Sequence, residues 1–159
     1  MGKVLSKFGN GFAGAVARAA DDIIVSFPNS GEAAIPFGAP VFLQQSSGGA
    51  VPFSSDLDMT TFLGFAARSG AKTPDVYGES TGAYQPGEIM DVLTRGTVVV
   101  EAAGNPAPGG AVYIRLDNGK ITASAGTAGS TLELTNCRFR GNRDGKYMAE
   151  VLVRTRNIG

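Results

Sequence analysis

Apolar and polar residues alternate in short runs along most of this chain, broken by turn residues at a spacing of roughly 8–12 residues. The run that organises the rest is Ile89 to Glu101, opened by the turn pair Pro86-Gly87. Ile89, Asp91, Leu93 and Arg95 fall on one face of an extended segment, and Met90, Val92 and Thr94 on the other. Thr97 to Val100 are all β-branched, which suits a pleated, half-buried surface and costs χ1 freedom in a helix. Gly96 joins the two segments as a bulge or bend, where a missing Cβ lets the strand turn a corner.

Other strands are predicted around that run. Asp22 to Phe27 reads as a strand closed by Pro28-Asn29-Ser30-Gly31. Ala33 to Leu43 carries Pro36, Gly38 and Pro40, which predicts an edge or bulged strand with Phe37, Val41 and Leu43 inward. Ala50 to Phe53 is a short edge piece, and Thr60 to Arg68 another strand. Ala111–Leu116 and Lys120–Ser124 flank Asn118-Gly119, a strong hairpin signal because both residues tolerate positive φ. Leu132–Arg140 and Tyr147–Arg154 predict a second hairpin, with Tyr147, Ala149, Val151 and Val153 on one face. The polar, turn-rich stretch from Ser69 to Gln85 is long for a loop in a small domain, and such loops often make outside contacts. Residues 1–22 are Gly- and Ala-rich; a short helix over 13–20 is conceivable, an extended arm at least as good a reading.

The expected architecture is therefore all-β: a single antiparallel β-barrel or jelly-roll-like sandwich, residues 23–159, behind an extended N-terminal arm, residues 1–22. Composition agrees, with 23 glycines and 8 prolines among 159 residues and 43% hydrophobic residues to build a core. Fourteen basic and fourteen acidic residues cancel, so long-range steering to nucleic acid or anionic lipid is not expected. No run approaches the ~20 apolar residues of a membrane-spanning helix. The single cysteine permits no intramolecular disulfide, which fits a reducing compartment.

Histidine is absent, which removes the commonest general base, the commonest zinc ligand and any Ser-His or Cys-His pair. Gly9 to Gly14 spells G-x-G-x-x-G, but Lys3–Phe8 is too short and polar to be the buried strand that a dinucleotide site requires. A flexible Gly-rich arm is the preferred reading. Asp21/Asp22 and Asp56/Asp58 read as turn and cap residues rather than as a metal or glycosidase pair. Cys137 reads as a buried structural thiol, and the arginines from Arg138 to Arg156 as a solvated or protein-contacting face. No catalytic residue, cofactor site or metal site is expected.

Several segments, taken in order and spacing, resemble bacteriophage capsid cement (head decoration) proteins. They are Gly11 to Gly14, Ile35 to Val41, Val51 to Phe53, Phe62 to Arg68, Tyr84 to Gly87, Asp91 to Val100 and Gly110 to Tyr113. The resemblance implies a non-enzymatic β-rich virion protein, made in the host bacterial cytoplasm, that sits on the outside of an icosahedral head. It would bridge neighbouring major capsid subunits, and associate with itself as a dimer or trimer, without nucleic acid or membrane partners. On that reading Phe8, Phe12, Val16, Tyr77 and Tyr84 are the expected capsid anchors, carried by the arm and the 69–85 loop. A tail or head-fibre component and an assembly scaffold are the nearest alternatives. A carbohydrate-binding sandwich is disfavoured by the absence of Trp.

Overall fold

The run around Gly96 folds as one 15-residue strand, Ile89–Ala103, and every larger part of the molecule is paired to it. The computed structural model describes residues 13–17, 22–54, 57–68, 82–145 and 147–154. In chain order the strands are β1 (Val16–Ala17), β2 (Ile23–Pro28), β3 (Ile35–Pro36), β4 (Pro40–Leu43), β5 (Ala50–Pro52) and β6 (Phe62–Ala66). They continue as β7 (Ala83–Tyr84), β8 (Ile89–Ala103), β9 (Ala111–Arg115), β10 (Ile121–Thr122), β11 (Thr131–Phe139) and β12 (Met148–Val153). No helix occurs among the described residues.

The second half of β8 belongs to a closed barrel. Its order is β8-β12-β11-β9-β10, and β10 returns to pair with β8 in parallel through Ile121↔Ala102 and Thr122↔Ala103. The other pairings of this ring are antiparallel. The first half of β8 pairs with β2 and β6, and the sheet continues through β4 to β5. This second sheet curls until its ends meet, the Ser30 N–H donating to the Ala50 carbonyl at 2.8 Å.

Gly96 is the corner between the two. Leu93 points into the main core, and so do Val98, Val100 and Ala102. An odd position on one side and even positions on the other mean that the two-residue period slips once between them. The slip is visible in the pairing with β2, where Ile23 faces Arg95 and Ile24 faces Leu93, leaving Thr94 unmatched. Gly96 itself has φ +129°, and an added Cβ would lie 2.3 Å from the Asp22 Oδ1.

Apart from β2, the second sheet is buried on both faces. Phe42, Phe65 and Leu93 join the main core, while their neighbours Val41, Ala66 and Val92 join a smaller one with Ile35, Phe37, Ala50, Tyr84 and Met90. Four phenylalanine rings, Phe53, Phe42, Phe62 and Phe65, pack in series at centroid distances of 5.6, 5.5 and 5.7 Å, the first pair tilted and the other two edge-on. Each such contact adds about 0.5–1.5 kcal/mol beyond area burial.

Several expectations change here. Of the two alternatives for β4, an edge or a bulged strand, the edge does not hold, since β4 lies between β5 and β6. Its ladder with β6 does shift register between Val41 and Phe42. Pro40 is tolerated because it is the first residue of the strand. In the 116–120 turn only Gly119 has positive φ, and Asn118 contributes instead by accepting the Lys120 N–H on Oδ1 at 2.9 Å. Ala149, Val151 and Val153 share a buried face as expected, but Tyr147 leaves it and is 55% exposed. Residues 16–17 are extended and pair with Val98 and Thr97, so this part of the N-terminal region is docked on the body.

Candidate interaction surface

Chemistry is sparse on this scaffold. Among the described residues no group of three or more His, Cys, Asp or Glu could hold a metal ion. Cys137 is fully buried, and burial pushes its thiol pKa well above the usual range against a smaller opposing pull from Arg138. Asp58 accepts the Thr60 N–H at 2.9 Å, a local turn contact. Gly14, the last glycine of the G-x-G-x-x-G match, opens no helix. Its N–H donates to the Val99 carbonyl at 2.8 Å, and its own carbonyl accepts from the Arg68 N–H at 2.7 Å. A Cβ there would sit 2.8 Å from the Phe37 Cβ at φ +81°. The glycine is a docking point for the chain, not a phosphate cradle.

Two surface features stand out instead. The first is β2, whose residues Ile23, Ile24 and Val25 are 46%, 48% and 40% exposed. Among the described residues β2 pairs with β8 alone, and its three β-branched side chains stay exposed. The sequence predicts the strand correctly but gives no warning of this exposure, because a buried and an exposed Ile-Ile-Val read alike.

The second feature is a groove of about 620 Å³ between the barrel and the second sheet. The second sheet and the turns flanking it supply Phe37, Pro40 and Phe53, and the barrel with the turn before β12 supplies Ile121, Tyr147 and Met148. Phe37 is held rigidly. Tyr84 packs edge-on against it at 5.3 Å, and the Arg68 guanidinium lies 5.0 Å from its centroid. Burial lowers the Arg68 pKa from the usual arginine value. Phe53 is held by the ring series that starts at Phe42. Tyr147 stands at the rim with φ +66°, the one non-glycine residue at positive φ among those described, and Arg143 stacks on its ring at 4.5 Å. Ala13 and Gly82 also line the groove.

This all-β body with its double sheet can be compared with known proteins. A family model described as structural cement protein (E217 gp24/Pam3 gp6) matches residues 3–154. The chain belongs to the phage structural cement protein family. Among solved structures it is similar to a chain from the capsid of Myoviridae phage XM1. That likeness has a TM-score of 0.72 and 20% identity, and covers 95% of this chain and 94% of the other. At that identity it speaks for the fold. No curated protein matches the chain. The cement protein is thus a structural component of a phage capsid, associated with capsid proteins in the virion.

Of the five expected anchors, Phe8, Phe12 and Tyr77 lie outside the described residues. Val16 is half-buried in β1 and packs against the main core. Tyr84 is 2% exposed, and its hydroxyl donates to the Ala67 carbonyl at 2.6 Å. It is part of the smaller core, and inserting it into a partner would require pulling it out. Its amphipathic character is satisfied internally, and the sequence had no means of telling the two uses apart.

Proposed function

We propose that this cement protein sits on the outer surface of an icosahedral phage head and clamps neighbouring major capsid subunits together, acting without catalysis. The observation that carries the reading is the set of exposed apolar side chains of β2 on a body whose family is structural. A rigid sheet with Ile23, Ile24 and Val25 turned outward is suited to contact with other chains, and an isolated monomer has no use for it. Formal net charge is zero, so packed copies would not repel one another strongly across a shell. Self-association on the shell as a dimer or trimer belongs to the same proposal.

Phe8, Phe12 and Tyr77 remain the proposed anchors, reaching from the two stretches that border the groove at Ala13 and Gly82. Because residues 13–17 are hydrogen-bonded to β8 and to Arg68, a truncation that tests the arm alone stops at Phe12. The test is cosedimentation of the purified protein with empty shells of the major capsid protein from the same phage. Saturable binding at a fixed ratio per capsid subunit, together with shells that resist heat better, is the expected result. Removing residues 1–12 should abolish binding while the thermal transition of the body is kept. Absence of binding by the intact chain would refute the proposal and favour a tail or fibre location.

A further inference from the structure

We infer that the groove between the barrel and the second sheet receives an extended segment of the major capsid protein, one that carries an apolar side chain next to carboxylates. This inference rests on the capsid-binding reading above and names the surface and the kind of segment bound. The floor is apolar and already in place: Phe37 is fixed by Tyr84 and Arg68, and Phe53 by Phe42. A partner side chain entering there displaces water from rigid walls and orders little in the protein itself, the condition under which buried area converts well to affinity.

The rim supplies the charge preference. Lys120 and Arg143 stand on the barrel side against one carboxylate, Glu101. Neither cation is paired with a carboxylate among the described residues. An acidic segment is complementary to that surplus, and a basic one is not.

Tyr147 is the residue that marks the groove as built for contact. A bulky side chain at φ +66° is a rare and costly arrangement, and it persists only where neighbours fix the backbone. They do so here. The Tyr147 N–H donates to the Asp144 carbonyl at 3.1 Å, and its carbonyl accepts from the Ala102 N–H of β8 at 2.8 Å. The result holds an exposed ring over the groove with an arginine stacked on it. Tyrosine and arginine are enriched among the residues that dominate interface energies. The position fits as well, since Ala13 and Gly82, next in sequence to the segments that carry the proposed anchors, line the groove.

The experiment uses the full chain, empty shells of the major capsid protein, and three variants. Tyr147→Gly removes the ring and also relieves the positive φ, so its unfolding midpoint should hold or rise. Its affinity for shells should fall by ~30-fold, the loss typical of an interface residue of this kind. Arg143→Glu should weaken binding by ~10-fold or more and flatten its dependence on salt. Ile24→Lys probes β2 in parallel. If wild-type protein binds and Tyr147→Gly binds within twofold of it, the groove assignment is overturned while the cement reading stands. Loss of binding in Ile24→Lys alone has the same consequence and assigns the contact to β2. Should Tyr147→Gly dissociate a free oligomer without altering shell binding, the groove holds a second copy and the inference fails. If wild-type protein does not bind shells, both readings fall.

Discussion

Gly64 and Gly109 offer a test of what a glycine contributes in this fold. Both have positive φ, +159° and +78°, but their surroundings differ. A Cβ on Gly109 meets nothing within 4 Å, so Gly109→Ala should cost only the conformational penalty, about 1–2 kcal/mol. A Cβ on Gly64 would lie 2.0 Å from the Leu93 carbonyl oxygen and 2.9 Å from its carbon, both backbone atoms of β8. That oxygen cannot rotate away, and the contact must open to at least 3.0 Å. A movement of that size breaks the short ladder in which Phe65 and Ala66 pair with Leu93 and Val92, the pairing through which β6 and β4 join β8. Two backbone hydrogen bonds at about 1 kcal/mol each, with the loosened packing of Phe65, bring Gly64→Ala to about 3–5 kcal/mol. In a chain of this size that lowers Tm by roughly 6–20 °C. Urea unfolding of wild type and both variants measures the difference, provided the m-values agree. If Gly64→Ala costs no more than Gly109→Ala, the close approach of β6 to β8 is not what requires glycine there, and the reasoning is wrong.

The remaining predictions concern buried groups. Tyr84→Phe removes the donor to the Ala67 carbonyl and should destabilise the body by about 1–2 kcal/mol while leaving shell affinity unchanged; weakened binding in a folded variant would show that Tyr84 touches the partner after all. Cys137 should react with a thiol reagent only after unfolding. Because its folded pKa lies above that of the unfolded thiol, the unfolded chain loses the proton first, so stability is complete below pH ~8.5 and declines above it by about 1.4 kcal/mol per pH unit. Unfolding curves between pH 8 and 10 should show that slope in wild type and lack it in Cys137→Val; parallel slopes would contradict the assignment.

Much of this protein follows from local pattern. The break at Gly96, the hairpin across Asn118-Gly119, the buried thiol at Cys137 and the all-β class are all legible, because each depends on residues a few positions apart. Alternation fixes which residues can share a face, and glycine marks where the period slips. What alternation cannot fix is which face another strand will cover. Tyr84 was buried by Phe37 and Ala67, and Tyr147 was turned out of the face it shares by period with Ala149. Asn29 reads as a turn residue but is a buried junction, its side chain donating to the Ala33 and Tyr84 carbonyls and accepting the Gly31 N–H, each at 3.0 Å.

The same limit governs the surfaces. Sequence by itself determined that there would be many short strands, that one long strand would turn at Gly96, and that histidine chemistry was impossible. Only the tertiary structure decided that the apolar side chains of β2 would be left exposed and β4 would be enclosed. It also decided that the parallel contact of β10 with β8 would close the barrel, and that Phe37 and Tyr147 would face one groove. Those outcomes depend on pairings between residues far apart in the chain, such as Ser26 with Asp91 and Met148 with Glu101. Short-range periodicity carries no information about them, because the hydrogen-bonding edge of a strand is made of backbone groups that nearly every residue supplies alike.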